Sequence, residues 1–134
     1  MTIDHIAIVV ADLEATLAIY TERLGFEQIY RETIAEQGVE AVGLRAGESS
    51  IELLRPLDET SPIARFRGEA ASKLHHTAYR VEDLVAEIAA LRARGVRMID
   101  ERPRKGAHGN LTAFIHPSST AGVLVELCQQ EHHA

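Results

Sequence analysis

The chain repeats one short phrase, and this repeat limits its possible folds more than any other feature. HIAIVV begins at His5 and HTAYRV begins at His76, and an Asp-Leu pair follows each phrase, at Asp12 and Asp83. The two histidines and the two aspartates are each 71 residues apart. Self-similarity at a fixed spacing predicts two copies of one structural unit, stacked so that each covers the other's hydrophobic face.

Each copy is expected to be a strand, a helix and three further strands. The helices follow Asp12 and Asp83, which suit N-cap positions, and end at Gly25 and Gly95, which suit C-caps. The later strands are predicted in FEQIYRET, GVEAVGLRA and SSIELLRPL in the first copy, and in VRMIDER, NLTAFIHP and GVLVELCQ in the second. The prediction is an α+β fold with two tandem βαβββ modules forming an open, cupped sheet.

The predicted domain organisation is a single domain over residues 1–134. Module 1 covers about 1–57, a polar linker covers 58–72, and module 2 covers about 73–129. The linker contains proline and is expected to hold one short helix around Ile63–Phe66.

Composition excludes several classes of function. The net charge of −6 argues against nucleic-acid binding. The N-terminus shows no basic leader and no long apolar run, so neither a signal peptide nor a membrane span is expected. A single cysteine, Cys128, agrees with a reducing compartment. The expected location is cytoplasmic.

Four polar residues interrupt apolar strands at equivalent places in the two copies. His5 and His76 lie in the first strands, and Glu52 and Glu126 lie in the last strands. Alone, each would be an ordinary strand residue, but chance would have to place both pairs in register. Neutral imidazole and carboxylate are standard ligands of divalent metals, and a buried carboxylate needs a compensating charge. The pattern therefore predicts a metal site.

Other histidines are weaker candidates. His75 is one residue out of phase with His76, so it should face the other side of its strand. His116 is expected to organise a turn, and His108 to meet either substrate or water. Cys128 is expected to serve packing. The tail histidines, His132 and His133, are expected to be solvated.

With these features the sequence resembles the vicinal oxygen chelate superfamily, which includes the glyoxalase, bleomycin resistance and dioxygenase proteins. The resemblance covers Ile3 to Gln129. DHIAIVVADLEATLAIYTERLGF and LHHTAYRVEDL are typical of the superfamily in general, whereas IELLRPL with SPI four residues later, PRKGAHG and HPSSTAGVLVEL are typical of its methylmalonyl-CoA epimerase group.

The resemblance implies a ligand set, a reaction and partners. The metal ligands would be His5, Glu52, His76 and Glu126, binding cobalt, manganese, nickel or zinc, although glutamate at position 52 also occurs in glyoxalase I. The reaction would be epimerisation of methylmalonyl-CoA by α-proton abstraction through a metal-stabilised enolate, with Glu126 as the base. The acyl-CoA substrate would contact Gln37, Arg104, Lys105 and Gly106. A homodimer is also expected.

One departure from the epimerase pattern leaves the second base open. Some epimerases carry a carboxylate three residues after the glycine of the EQGV-like stretch, and Ala41 stands there in this chain. Glu40 is one residue off, so it should face away unless a bulge turns it inward. Either such a bulge exists or another group acts as the second base.

Three rival functions share the superfamily. A glyoxalase I-type lactoylglutathione lyase would use the same kind of ligand set, but usually has a DPDGY-like turn where this chain has HPSSTAGV. A non-catalytic ligand-binding protein would stack aromatic residues on its ligand, and this chain has three Tyr, three Phe and no Trp. An extradiol dioxygenase would need two histidines and one glutamate for iron.

Overall fold

The structure is a computed structural model and describes residues 1–131, so the predictions for His132 and His133 lie outside the described residues. The strands are β1 (Thr2–Val10), β2 (Glu27–Ile34), β3 (Val39–Ala46), β4 (Ser49–Pro56), β5 (Ser72–Arg80), β6 (Arg104–Lys105), β7 (Leu111–Ile115) and β8 (Val125–Gln129). The α-helices are α1 (Leu13–Ala18), α2 (Pro62–Arg67) and α3 (Leu84–Ala93). Within residues 1–131, no helix has the length and apolar character needed to cross a membrane.

The chain divides into two compact units. The N-terminal unit is His5–His75, and the C-terminal unit is Met1–Asp4 together with the chain from His76 onward. Hydrogen bonds order the strands β2-β3-β4-β1 in the first and β5-β8-β7-β6 in the second. In each unit the first and last strands are parallel neighbours, and the remaining pairs are antiparallel. The two units therefore share one topology.

The helices begin as the sequence predicts. Asp12 Oδ1 accepts the Ala15 N–H at 3.0 Å, and Asp83 Oδ1 accepts the Ala86 N–H at 3.0 Å. Each aspartate therefore satisfies a backbone donor that the first helical turn leaves free. The helix predicted in the linker is α2, capped by Ser61.

The first helix ends differently from the prediction. After α1, residues Ile19–Arg23 form a π-helical turn, in which the Leu24 N–H donates to the Ile19 carbonyl at 3.0 Å. Gly25 then takes a φ of 81°, and Gly95 takes a φ of 85° after α3. These left-handed conformations explain why glycine ends both helical segments.

Each unit has a core between its helix and one face of its strands. In the N-terminal unit the buried members are Val10, Leu13, Leu17, Val42, Leu44, Ile51 and Leu53. In the C-terminal unit they are Leu84, Ile88, Leu91, Ala113, Ile115 and Leu127. Burying one large apolar side chain of this kind contributes roughly 1.5–3 kcal/mol to the stability of the fold. This contribution fixes which face of each strand packs on the helix and which face is turned away from it.

One predicted strand is wrong. VRMIDER forms no strand, only an isolated bridge between Met98 and Ile115, and the short strand β6 lies further along the chain. Polar side chains take backbone hydrogen bonds that a strand would give to its ladder. Asp100 Oδ2 accepts the Phe114 N–H at 2.9 Å, and the Arg97 N–H donates to Ser119 Oγ at 2.9 Å.

Candidate functional site

His5 on β1 and Glu52 on β4 form the first of two matching pairs. The register places Ala7 beside Glu52, and His5 is two residues before Ala7. Because alternate residues of a strand share a face, His5 and Glu52 lie on the same side of their strands. Both are buried, at 8% and 6% exposure. A ring nitrogen of His5 lies within 4.8 Å of a carboxylate oxygen of Glu52.

His76 on β5 and Glu126 on β8 form the second pair with the same offset. The register places Ala78 beside Glu126, and His76 is two residues before Ala78. Both residues are buried, at 5% and 6% exposure. His76 Nε2 lies 3.5 Å from Glu126 Oε1. Two ligand atoms bound tetrahedrally to one zinc ion at about 2.1 Å would be about 3.4 Å apart, so this spacing suits shared metal ligation.

Tyr30 on β2 holds the carboxylate of the N-terminal pair. Its hydroxyl donates to Glu52 Oε2 at 2.6 Å, the length of a strong bond to an ionised oxygen. Gly43 lies between Tyr30 and Glu52 in the register. A Cβ on Gly43 would come within 2.0 Å of the Tyr30 ring, so only glycine leaves room for the ring there. The sequence pattern did not single out Tyr30, because this contact depends on the register of three strands.

Cys128 contacts the carboxylate of the C-terminal pair. Its Sγ donates to Glu126 Oε1 at 3.4 Å, and the residue is 1% exposed. A thiol is a weak donor, so this bond restrains the carboxylate less than a phenol would. The ring of His76 meets the ring of Phe114 edge to face at 5.2 Å, which fixes the orientation of the imidazole. Cys128 therefore does more than the packing predicted for it.

The two pairs have the chemistry of metal ligands. A buried carboxylate loses several kcal/mol of solvation, which hydrogen bonds or a cation must offset. Glu52 can keep its bond to Tyr30 through Oε2 and still bind an ion through its other oxygen. Imidazole nitrogen with carboxylate oxygen suits zinc and its neighbours among the transition metals. The chain therefore carries candidate metal-binding residues in both units.

Glu40 cannot act on the face that carries Glu52. The pairing of β3 with β4 continues without a shift from Val39 to Ala46, so the bulge that would turn Glu40 inward is absent from this part of the described chain. Glu40 instead accepts hydrogen bonds from Arg31 at 2.8 Å and Arg55 at 3.0 Å. These two guanidinium groups hold the pKa of Glu40 below its usual value. Of the two alternatives left by the sequence, the bulge is wrong.

The predicted substrate contacts lie on the surface. Gln37 is exposed at the end of a 3₁₀ turn, and Arg104 and Lys105 are exposed on β6. Arg104 Nε lies 3.3 Å from Asp100 Oδ1. The backbone N–H of Gly106 is already used within the loop, since it donates to the carbonyl of Asn110 at 2.8 Å. A Cβ on Gly106 would also come within 2.7 Å of a methyl carbon of Thr112, so its lack of a side chain serves packing.

The remaining histidines have other environments. His75 contacts the ring of Phe66 edge to face at 5.0 Å. The predicted turn role of His116 is confirmed, since its Nδ1 accepts the Ser118 N–H at 3.1 Å. His108 is exposed and takes a left-handed φ of 60°.

Comparison with known proteins assigns the chain to a family. The family model of the Glyoxalase/Bleomycin resistance protein/Dioxygenase superfamily matches residues 4–114. The ethylmalonyl-CoA/methylmalonyl-CoA epimerase of Cereibacter sphaeroides is 40% identical over 129 residues, covering 95% of this chain and 96% of that protein.

Two solved structures share the fold. The methylmalonyl-CoA epimerase of Mycobacterium tuberculosis is 35% identical with a TM-score of 0.92, covering 98% of this chain and 89% of that one. A variant of the Streptomyces coelicolor methylmalonyl-CoA epimerase in complex with 2-nitronate-propionyl-CoA is also 35% identical with a TM-score of 0.92, covering 98% and 99%.

These relatives confirm three predictions made from the sequence: the resemblance, the α+β glyoxalase-like fold class, and membership of an enzyme group. The superfamily match covers most of the chain, and the relatives are matched over nearly their full lengths. The chain therefore belongs to the glyoxalase/bleomycin resistance protein/dioxygenase superfamily and, within it, to the group of relatives named methylmalonyl-CoA epimerase.

Proposed function

We propose that this protein interconverts (R)- and (S)-methylmalonyl-CoA by removing and replacing the α-proton. The observation that carries the proposal is the pair of buried His–Glu couples with the same register offset. Relatives named for this activity match 95% of the chain at up to 40% identity, which supports the assignment of substrate.

The proposal includes one divalent cation ligated by His5, Glu52, His76 and Glu126. Support comes from the burial of all four side chains and from the 3.5 Å spacing of His76 Nε2 and Glu126 Oε1. When bound, such an ion would stabilise the negative charge that develops on the thioester oxygen. Because one ion would use all four residues, two from each unit, the expected stoichiometry is one ion per chain.

Glu126 is proposed as the base that takes the α-proton. A base must be able to move toward the substrate and accept a proton there. At Glu126, the thiol of Cys128 donates to Oε1 at 3.4 Å, and His76 Nε2 lies 3.5 Å from Oε1. Glu52 accepts a 2.6 Å bond from a phenol, which suits a fixed ligand better than a mobile base.

The coenzyme A portion is proposed to contact Gln37, Arg104, Lys105 and Gly106. Arg104 and Lys105 are exposed cations in neighbouring positions of β6, where phosphate oxygens could pair with them. Gly106 could contribute only by allowing a close approach, because its N–H is already taken. The homodimer, the cytoplasmic location and the single-domain organisation stay predictions.

Exchange of the α-proton in deuterated water tests the proposal directly. The purified protein is incubated with methylmalonyl-CoA, with and without chelator, and deuterium incorporation is followed by mass spectrometry. We expect rapid exchange that the chelator abolishes and that cobalt, manganese, nickel or zinc restores. Absence of exchange, or exchange that continues after the chelator has stripped the protein of metal, would contradict the proposed mechanism.

Two further substrates separate the rival assignments. Ethylmalonyl-CoA tests the breadth suggested by the Cereibacter relative, whose name includes that substrate. The hemithioacetal of methylglyoxal and glutathione tests the lactoylglutathione lyase reaction. Turnover of the hemithioacetal with no exchange on either acyl-CoA would assign the protein to the lyase reaction instead.

A further inference from the structure

We propose that Glu32 is the second acid–base residue, acting on the face of the α-carbon opposite to Glu126. This inference rests on the proposed function, because only an epimerase needs a proton donor on each face. The position that carries this carboxylate in some epimerases is Ala41, and Glu40 is held on the other face by Arg31 and Arg55.

The register places Glu32 directly beside the alanine. On β2, Glu32 pairs with Ala41 of β3, and Tyr30 pairs with Gly43. Gly43 in turn pairs with Glu52 of β4. The chain thus carries a glutamate one strand away from the position where the carboxylate is missing.

The contact between Tyr30 and Glu52 shows which face Glu32 uses. The Tyr30 hydroxyl reaches Glu52 across Gly43, so the side chain of Tyr30 lies on the Glu52 face. Alternate residues share a face, which puts Glu32 there as well. Burial agrees, since Tyr30 and Glu32 are half-buried whereas their neighbour Arg31 is exposed. Ile34, the next residue in this alternation, packs in one cluster with Ala41.

The side chain of Glu32 is long enough to reach over Ala41. Residues paired directly across antiparallel strands have Cβ atoms about 4.5–5.5 Å apart. A glutamate extends its carboxylate oxygens three bonds beyond Cβ, while the side chain of Ala41 ends at Cβ. Glu32 can therefore bring its carboxyl group over Ala41, to the place where a longer residue at position 41 would put one.

The proton transfers balance with two carboxyl groups. The ionised Glu126 takes the α-proton of one epimer, and the electron pair of the broken C–H bond delocalises into the thioester carbonyl. The neutral carboxylic acid of Glu32 then gives its proton to the α-carbon on the other face and becomes ionised. Water removes the proton from Glu126 and returns one to Glu32 before the next turnover in the same direction. The reverse reaction exchanges the two roles.

The variant Glu32→Gln separates proton exchange from inversion. It keeps shape and hydrogen bonding but cannot transfer a proton. We expect inversion to fall by roughly 10²–10⁴-fold, the usual contribution of a positioned acid or base. The epimer that Glu126 deprotonates should still exchange its α-proton for deuterium with retention, while the other epimer should not exchange. Replacing a residue with only a structural role would lower the rate of inversion and the rate of proton exchange together, and it would do so for both epimers.

Glu40→Gln is the matched control, because it removes a carboxyl group from the adjacent strand on the other face. It should leave inversion within about 2-fold of the parent protein, and thermal unfolding confirms that both variants are folded. Normal inversion by Glu32→Gln, or loss of exchange with both epimers in a folded variant, would overturn the assignment of Glu32. Absence of exchange in the parent protein would instead overturn the proposed function, so the two failures are distinguishable.

Discussion

The two units present the same His–Glu pair with the same register, yet the carboxylates have different neighbours. In the N-terminal unit a phenol, Tyr30, bonds Glu52 at 2.6 Å. In the C-terminal unit a thiol, Cys128, bonds Glu126 at 3.4 Å. A hydroxyl bond to an ionised oxygen is roughly twice as strong as a neutral one, and a thiol is a weak donor. The repeated backbone supplies two similar carboxylates, and side chains that the two copies do not share make them unequal.

The inequality suggests a division of labour. A carboxylate that only ligates an ion gains from being fixed, because hydrogen bonds to a ligand hold it in place and strengthen metal affinity. A carboxylate that also transfers a proton must change its contacts during turnover. Glu52 fits the first description and Glu126 the second. The following predictions test this difference, beginning with the largest effect.

Replacing the two carboxylates separately should give very different activities. Glu126→Gln should lower kcat by roughly 10²–10⁴-fold, because the proposed base is lost. Glu52→Gln should lower it by less than about 10-fold, since the amide oxygen can still ligate an ion while the amide nitrogen donates to the hydroxyl of Tyr30. Steady-state epimerisation kinetics measure both, with metal content determined for each variant. Equal losses at equal metal content would show that the two carboxylates are equivalent.

The adjacent histidines of β5 should differ in metal binding. His76→Ala removes an imidazole 3.5 Å from Glu126, whereas His75 has its ring against Phe66. Loss of a residue that hydrogen-bonds to a metal ligand costs 10–100-fold in metal affinity, so loss of a proposed ligand should cost about 100-fold or more. Competition with a chromogenic chelator measures the affinity.

His75→Ala serves as the control for that measurement. It should keep metal affinity within about 2-fold and lower stability by about 0.5–1.5 kcal/mol through the lost aromatic contact. A similar loss of metal in both variants would mean that the phase assigned to β5 is wrong.

The sequence predicted this fold and the two His–Glu pairs because a single sequence is enough to reveal an internal repeat. Alternation along strands, N-cap aspartates and C-cap glycines are local signals, and the structure has them where the sequence places them. The failed strand VRMIDER shows the limit. Its β-branched and apolar residues favour a strand, but its Arg97 N–H donates to Ser119 and its Asp100 side chain accepts the Phe114 N–H of β7. Only the folded chain brings these groups together.

The neighbours of the site could not be predicted for the same reason. The Tyr30–Glu52 bond and the Glu32–Ala41 pairing both depend on the register of β2 against β3. That register shifts between Gln28 and Tyr30, and no residue pattern within β2 predicts the irregularity. A chain with the same β2 sequence but without the register shift would turn the side chains of Tyr30 and Glu32 to the other face of the strand.

Removing the phenol should make the two carboxylates more alike. Tyr30→Phe deletes only the hydroxyl bonded to Glu52 and should weaken metal binding by about 10-fold, the low end for the loss of a hydrogen bond to a metal ligand. Gly43→Ala should have a similar effect, because its new Cβ would lie 2.0 Å from the Tyr30 ring and displace it. Cys128→Ala, the corresponding change in the other unit, should cost less than about 3-fold. Competition titration compares the three, and an equal or larger effect of Cys128→Ala would reverse the proposed asymmetry.

The smallest predicted effect concerns the other face of β3, where Glu40 pairs with Arg31 and Arg55 and Arg31 also pairs with Glu14. The hydrogen bond from Arg31 lowers the pKa of Glu40 the most, and the hydrogen bond from Arg55 lowers it further. A lowered carboxyl pKa stabilises the folded state above the unfolded pKa, about 4.3, and this stabilisation disappears as pH falls through the folded value.

Glu40→Gln should therefore lower the free energy of unfolding by about 1 kcal/mol at neutral pH, and the difference should shrink below about pH 4. Urea unfolding at several pH values measures it. Glu27→Gln is the control, because the Glu27–Arg45 pair on the same strands is mostly exposed and should contribute almost nothing. If Glu40→Gln instead abolished epimerisation in a folded protein, the two faces of β3 would not have the separate roles assigned to them, and Glu40 would replace Glu32 as the second base.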